Sequence, residues 1–424
     1  MPGDRLSGNI EYCDWRRVGY HQEALRSEHR TPGCSSVQAE EDLMEMRYGV
    51  NPHQQARVGE ASPEPLKLLN GSPSYINVLD ALNAWPLVKE ARAALGAPVA
   101  TSFKHVSPAG VAVAGNPDET MREVWGLGNG SIGPLTSAYV RARDADPKCS
   151  FGDMIAVSEP VDMELAELLA RVISDGIVAP GFEPGTLEIL ARKKRGSFLV
   201  FEADPEFTPP RWERREVYGM VLEQEHDALP ITAGCLEVVE GPQLPAAAVN
   251  DALLGMITVR YTQSNSVAYI RDGMSLGIGA GQQSRVDCTR LAGAKAANWW
   301  MRRNLSVREL SLPAEMSRQD KLNWQIRFAE GDMTPGEWEA FGEVAGGTDP
   351  IPADLRSAWS EQLDEVTLAS DGFIPFRDNI DFASRYGVRY VVEPGGSMRT
   401  PDVAGACREY GMSLVHTGIR LFHH

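Results

Sequence analysis

Lys104 and His105 stand side by side in "SFKHVSPAG" (residues 102–110), between an apolar approach and a Pro-Ala-Gly exit. An adjacent ammonium disfavours an imidazolium, so such a pair suits a neutral proton acceptor; the plain alternative is a loop histidine. "YTQSNS" (261–266) follows the apolar "LLGMITV", read as a strand, and offers Asn265 either as an amide donor to a developing oxyanion or as an ordinary Asx-turn. "LASDGFIPFRDNID" (368–381) couples Asp371, Phe373, Pro375, Arg377 and Asp378. That is an apolar cage beside carboxylates for a flat heteroaromatic ligand, or a capped strand-to-helix loop. Arg47 in "RYGVNPHQ" and Arg420 in "TGIRLFHH" are candidates for a phosphate clamp or surface ion-pair partners.

"GIGAGQQSR" (277–285) superficially resembles a dinucleotide loop, but its glycines are spaced G-x-G-x-G, deep in the chain. A dinucleotide fingerprint needs G-x-G-x-x-G after a first strand, with an acidic residue about 20 positions on. The stretch suits a tight polar site closed by Arg285, or a hairpin turn.

The elements that must position these groups read as α/β. "NVLDALNAWPLVKEARAAL" (77–95) carries helical spacing, and "APVATSFKHV" (97–106) a buried strand running into a loop. Residues 163–182 read as an amphipathic helix ending at a glycine, then a strand, and the helix–Gly–strand order repeats through residue 204. A second α/β unit begins near residue 246, and 295–365 read as helical with five tryptophans as anchors. The expected division is a leader over 1–45, a first subdomain over 46–245, a second over 246–294 and 364–424, and a helical insertion over 295–363. Strand and helix alternate on both sides without a visible sequence repeat.

Composition is that of a folded protein: 43% hydrophobic and 23% charged over 424 residues, with net charge −17. Such acidity argues against nucleic-acid partners, which demand a basic face. Six scattered cysteines (13, 34, 149, 235, 288, 407) form no C-x-x-C, so neither zinc nor a disulfide framework is expected. No run approaches the roughly 20 apolar residues of a membrane span, and the start lacks the order of a signal peptide. A cytoplasmic protein with no membrane partner is expected.

Taken together, these stretches resemble the transformylase half of the AICAR transformylase/IMP cyclohydrolase family, in wording like its animal-type subgroup. "RYGVNPHQ", "NVLDALNAW", "SFKHVSPAG", "SFGDMIAVS", "DGIVAPGF", "YTQSNSV", "GIGAGQQSR", "SDGFIPFRDNID" and "RLFHH" occur in that family's order over residues 46–424. The resemblance implies formyl transfer from 10-formyltetrahydrofolate to the 5-amino group of AICAR, giving FAICAR. It implies His105 as general base, Lys104 as its stabilising neighbour, Asn265 as oxyanion donor and His424 close to the site. Arg47, Tyr48, Asn77, Asp153, Phe373 and Arg420 resemble the nucleotide-binding set. Arg285, Val286, Pro375, Asp378, Ser397 and Met398 align with the folate side. It further implies two cytidine deaminase-like subdomains, a homodimer with sites built across its interface, no zinc, and room for a monovalent cation.

Three departures stand out. The cyclohydrolase domain is unmatched, so ring closure to IMP is not expected of this chain. Residues 114–133 differ from the animal pattern, and Gly372 and Ile374 replace an alanine and an aromatic, a change expected to loosen the cage around Phe373. Transfer onto an AICAR-like analogue, or idle nucleotide or folate binding, are the rival readings; against idleness, Lys104, His105, Asn265, Asp378 and Arg420 are all present.

Overall fold

Apolar runs such as "VATSF" and "VAYI" pack as strands covered on both faces, which is why they do not alternate. A computed structural model describes residues 43–59 and 64–424. Most of the segment read as a leader lies outside the described residues.

Strands β1 (Leu43–Glu45) and β2 (Arg57–Gly59) pair antiparallel. There follow β3 (Leu66–Asn70), α1 (Tyr75–Leu95), β4 (Val99–Phe103), β5 (Pro108–Val113), α2 (Glu119–Trp125), α3 (Pro134–Ala145) and β6 (Asp153–Val157). Then come α4 (Met163–Ala170), β7 (Ser174–Ala179), α5 (Thr186–Arg192) and β8 (Leu199–Ala203). A separate hairpin, β9 (Trp212–Val217) and β10 (Met220–Glu225), precedes β11 (Glu237–Glu240), α6 (Ala246–Arg260), β12 (Val267–Arg271), β13 (Met274–Gly279) and α7 (Arg285–Met301). Helices α8 (Leu305–Arg308), α9 (Arg318–Glu330), α10 (Pro335–Ala345) and α11 (Ala353–Ser360) lead to β14 (Val366–Ser370), α12 (Asp378–Ala383), β15 (Val388–Glu393), α13 (Thr400–Glu409) and β16 (Ser413–His416).

Twelve strands form one mixed sheet in the order β11-β16-β15-β14-β12-β13-β5-β4-β6-β7-β8-β3. The order is a palindrome of topology. From the central β13–β5 contact, where Met274 faces Ala112, each half runs outward through a hairpin, a parallel trio and an antiparallel edge strand. Helices α1 and α6 cover one face, with Trp85, Leu87, Leu254 and Ile257 in that core. Helices α3, α4, α7 and α13 cover the other, with Tyr139, Leu165, Ala292 and Val403. Helices α8–α11 enclose a small core of their own around Phe328 and Phe341, and stacked Trp300 and Trp359 tie α11 to α7.

Two sequence expectations change. "LLGMITV" is not a strand but the end of α6, whose last turns are buried all round; an apolar run of that length has no period to separate the two. Helix α4 ends at Ala170 rather than at a glycine, and Gly176 lies inside β7, where a Cβ would strike Leu199.

The register brings distant segments to one edge of the sheet. Phe103 pairs with Met154, Val267 with both Gly279 and Ser370, and Ala369 with Val392. The loops 104–107, 261–266, 280–284, 371–377, 394–399 and 417–424 therefore leave the sheet on the same side.

Candidate active site

The β4–β5 loop carries the opening pair. His105 and Val106 both adopt left-handed backbone, with φ 54° and 56°. That conformation is unusual for a β-branched residue and stores about 1–3 kcal/mol per residue. His105 is exposed at the mouth of a 630 Å³ cavity that Lys104, Gln263, Gly281, Leu291 and Lys295 also line. The Lys104 ammonium donates to the Phe151 carbonyl at 2.5 Å and also borders a 420 Å³ cavity reaching α9. Lys295 pairs with Asp146 at 3.0 Å on the cavity wall, and the Cys149 thiol beside them is pushed up to about 11 by burial and the Asp146 charge.

Arg47, Tyr48 and Asn77 gather at the start of α1. Arg47 donates to the Tyr48 hydroxyl at 3.1 Å, and Tyr75 N–H donates to the Tyr48 carbonyl. Asn77 Oδ1 accepts from Ser74 in a capping box, so its oxygen holds the helix end. One turn on, Asp80 Oδ1 accepts from Val106 N–H at 2.7 Å. Burial raises the Asp80 pKa, while the backbone amides of the turn pull it back.

A second cavity, of 390 Å³, lies beyond the 263–265 segment and is lined by Asn265, Arg285, Val286, Phe373, Pro375 and Phe422 among others. Arg285 is the buried post of this wall. It bonds Asp371 and Ser370 through one nitrogen and Asn265 Oδ1 at 2.8 Å through the other. The Asn265 amide nitrogen donates to the Gln282 and Gln283 carbonyls at 3.0 and 3.1 Å. Both amide hydrogens are thus engaged, and Asn265 does not stand free as the oxyanion donor expected of it.

The C-terminal segment runs along the same wall. Ser264 N–H donates to His423 O, and Leu421 N–H to Asp371 O, each a backbone bond. Arg420 is exposed over the Phe422 ring at 4.8 Å; the His424 ring meets Phe422 edge-on, and its carbonyl accepts from Arg215.

Other expected residues stand apart from both cavities. The Asp153 carboxylate is fully buried, held by Arg143 at 2.6 Å and the Ser102 hydroxyl at 2.7 Å. Asp378 opens α12 and accepts from Asn379. Ser397 accepts from Arg399 N–H, while Met398 is 98% exposed in the same loop. Ile374 points into the core rather than the cage, so replacing an aromatic there does not open the space around Phe373. A Cβ at Gly372 would lie 2.7 Å from Phe422, so glycine lets that ring close on Arg285. Gly277 and Gly279 serve helix packing, because a Cβ at either would strike α7 carbonyls. Among the described residues no cluster of His, Cys, Asp or Glu is suited to a metal ion, and no helix is long and apolar enough to cross a membrane.

Asp80, Gln263 and Lys295 are the site residues that sequence reading passed over. Only the Asp at the third position after Asn77, on the same helical face, carried a signal for any of them.

This geometry defines an α/β protein with paired cavities on one sheet edge. A family model described as the AICARFT/IMPCHase bienzyme matches residues 19–295, beginning inside the segment read as a leader. The bifunctional purine biosynthesis protein PurH of Magnetococcus marinus is 31% identical over 388 residues, covering 89% of this chain and 59% of that protein. The PurH proteins of Roseobacter denitrificans and Cereibacter sphaeroides are each 31% identical over 385 residues, with the same coverage. The chain belongs to the AICARFT/IMPCHase family. It spans about three fifths of the length of these curated relatives.

Proposed function

We propose that the chain moves the formyl group of 10-formyltetrahydrofolate onto the 5-amino group of AICAR, giving FAICAR and tetrahydrofolate. The observation carrying this reading is the Lys104–His105 turn at the mouth of the 630 Å³ cavity, beside the walls built by Gln263 and Arg285. The amine is delocalised into its ring and carboxamide and is a weak nucleophile. It attacks the formyl carbon as its proton passes to the neutral His105 ring. Negative charge then develops on the formyl oxygen, where the Lys104 ammonium stabilises it. The tetrahedral adduct collapses by breaking the bond from carbon to N10, and N10 leaves with a proton returned from His105 or Lys104. With the Asn265 hydrogens engaged by carbonyls, its part is to hold the cavity wall through Arg285.

In this reading Arg47 and Arg420 take the nucleotide phosphate, Phe373 stacks on its base, and Arg285, Val286 and Pro375 border the folate. The chain works as a cytoplasmic homodimer. Its support is the β9–β10 hairpin, which leaves Trp212, Tyr218, Met220 and Leu222 exposed at 56%, 104%, 68% and 54%. The motifs all belong to the transformylase half, with animal-type wording, so closure of FAICAR to IMP is not assigned to residues 46–424. No residue is assigned to a monovalent cation. An AICAR-like analogue is the second reading, favoured by residues 114–133, where α2 and a glycine-rich loop replace the animal pattern.

Purified protein given AICAR and 10-formyltetrahydrofolate tests this directly. Tetrahydrofolate and FAICAR are expected in equal amounts. Faster turnover of an analogue amine would move the reading to the second acceptor, and no transfer to any amine would end it.

A further inference from the structure

The two halves of the sheet hold their central hairpins with the same device. Asp80 is the sixth residue of α1, and Asp251 is the sixth residue of α6. Asp80 accepts from Val106 N–H in the β4–β5 turn. Asp251 accepts from Asp272 N–H at 3.0 Å and Gly273 N–H at 2.7 Å in the β12–β13 turn. Each turn holds two left-handed residues, His105 and Val106 in one, Asp272 and Gly273 in the other.

The surroundings then diverge. A Cβ at Gly110 would strike Ala142 O, and one at Gly277 would strike Ala292 O, which aligns α3 with α7 and sets Arg141 opposite Leu291. Leu291 leaves the 630 Å³ cavity open beside His105. Arg141 fills the matching space at the other end, donating to Val113 O and Asp272 O. The filled end has the small, easily formed Asp-Gly turn; the open end forces a histidine and a valine into left-handed backbone.

We propose that Asp80 is the positioning residue of the reaction, fixing the Lys104–His105 turn so that the imidazole faces the cavity. This rests on the formyl-transfer reading. Asp80 touches no reacting atom. It acts through the amide of Val106, and its counterpart Asp251 supplies an internal control, because the same bonds there hold a turn without Lys or His.

The test compares Asp80→Ala, Asp80→Asn and Asp251→Ala by amide hydrogen exchange and by formyl-transfer kinetics. Asp80→Ala is expected to speed exchange over 104–107 and to lower kcat about 30-fold, with KM for the nucleotide changed less than about threefold. Asp80→Asn keeps an acceptor oxygen and recovers most of kcat. Asp251→Ala loosens 271–274 equally but leaves kcat within about twofold. Asp80→Ser, whose hydroxyl is too short to span the bond, replaces the alanine variant if that one does not fold. Unchanged kcat in Asp80→Ala, an equal loss in Asp251→Ala, or a loss confined to KM would overturn the proposal. If the wild-type chain transfers no formyl group, the functional reading fails by itself, and unchanged exchange at 104–107 in Asp80→Ala would independently refute the positioning role.

Discussion

In the proposed reaction a base must take a proton from a reluctant amine, which calls for a fixed backbone. The turn that carries His105 is tied to Asp80, a carboxylate 25 residues earlier in the chain. The Lys-His pair was legible because adjacency is a local signal. Asp80 was not, since its role exists only once α1 packs over the β4–β5 turn. Asp153 shows the opposite limit. Its motif pointed to the nucleotide, yet its carboxylate balances the buried Arg143. Asp153→Ala should therefore lower the unfolding free energy by about 3–5 kcal/mol in denaturant titration, because it strands a buried guanidinium. A variant of wild-type stability that merely binds nucleotide less tightly would contradict that assignment.

At the scale of elements, the ends of β15 and β16 place a buried Glu393 and a half-buried His416 together, 3.3 Å apart, beneath the Phe373 loop. Burial pushes the Glu393 carboxyl up to about 7 and pulls His416 down, and Ile374 N–H donates to the same carboxyl. Both directions fit a neutral carboxyl beside a neutral imidazole. The folded state keeps the Glu393 proton from pH 4.5 to about 7, where the unfolded chain has released it. Stability from this group falls as pH rises through that window. Glu393→Gln removes the penalty, so its advantage over wild type in thermal unfolding should grow by about 2 kcal/mol between pH 5 and pH 8. A pH-independent difference would refute the neutral pair. Alternating strands and helices were readable along most of the chain; "LLGMITV" was not, because full burial erases the amphipathic period that separates the two.

The whole molecule is a topological duplication that the residues do not repeat, which is why it surfaced only in strand pairing. The open cavity at one end and the space filled by Arg141 at the other rest on single side chains, Leu291 against Arg141. The apolar-tipped β9–β10 hairpin belongs to this scale as well. Light scattering should find two copies per particle, and Tyr218→Ser with Met220→Ser should shift it towards one while lowering transfer. A fully active monomer would remove the dimer from the account.

The central claim is that the imidazole at position 105 accepts the amine proton. The rate of tetrahydrofolate release with AICAR, measured in wild type and in His105→Gln, addresses it most directly. The account predicts a loss of about 100-fold or more in kcat for the variant, with its fold intact. Release at a near-normal rate would contradict it.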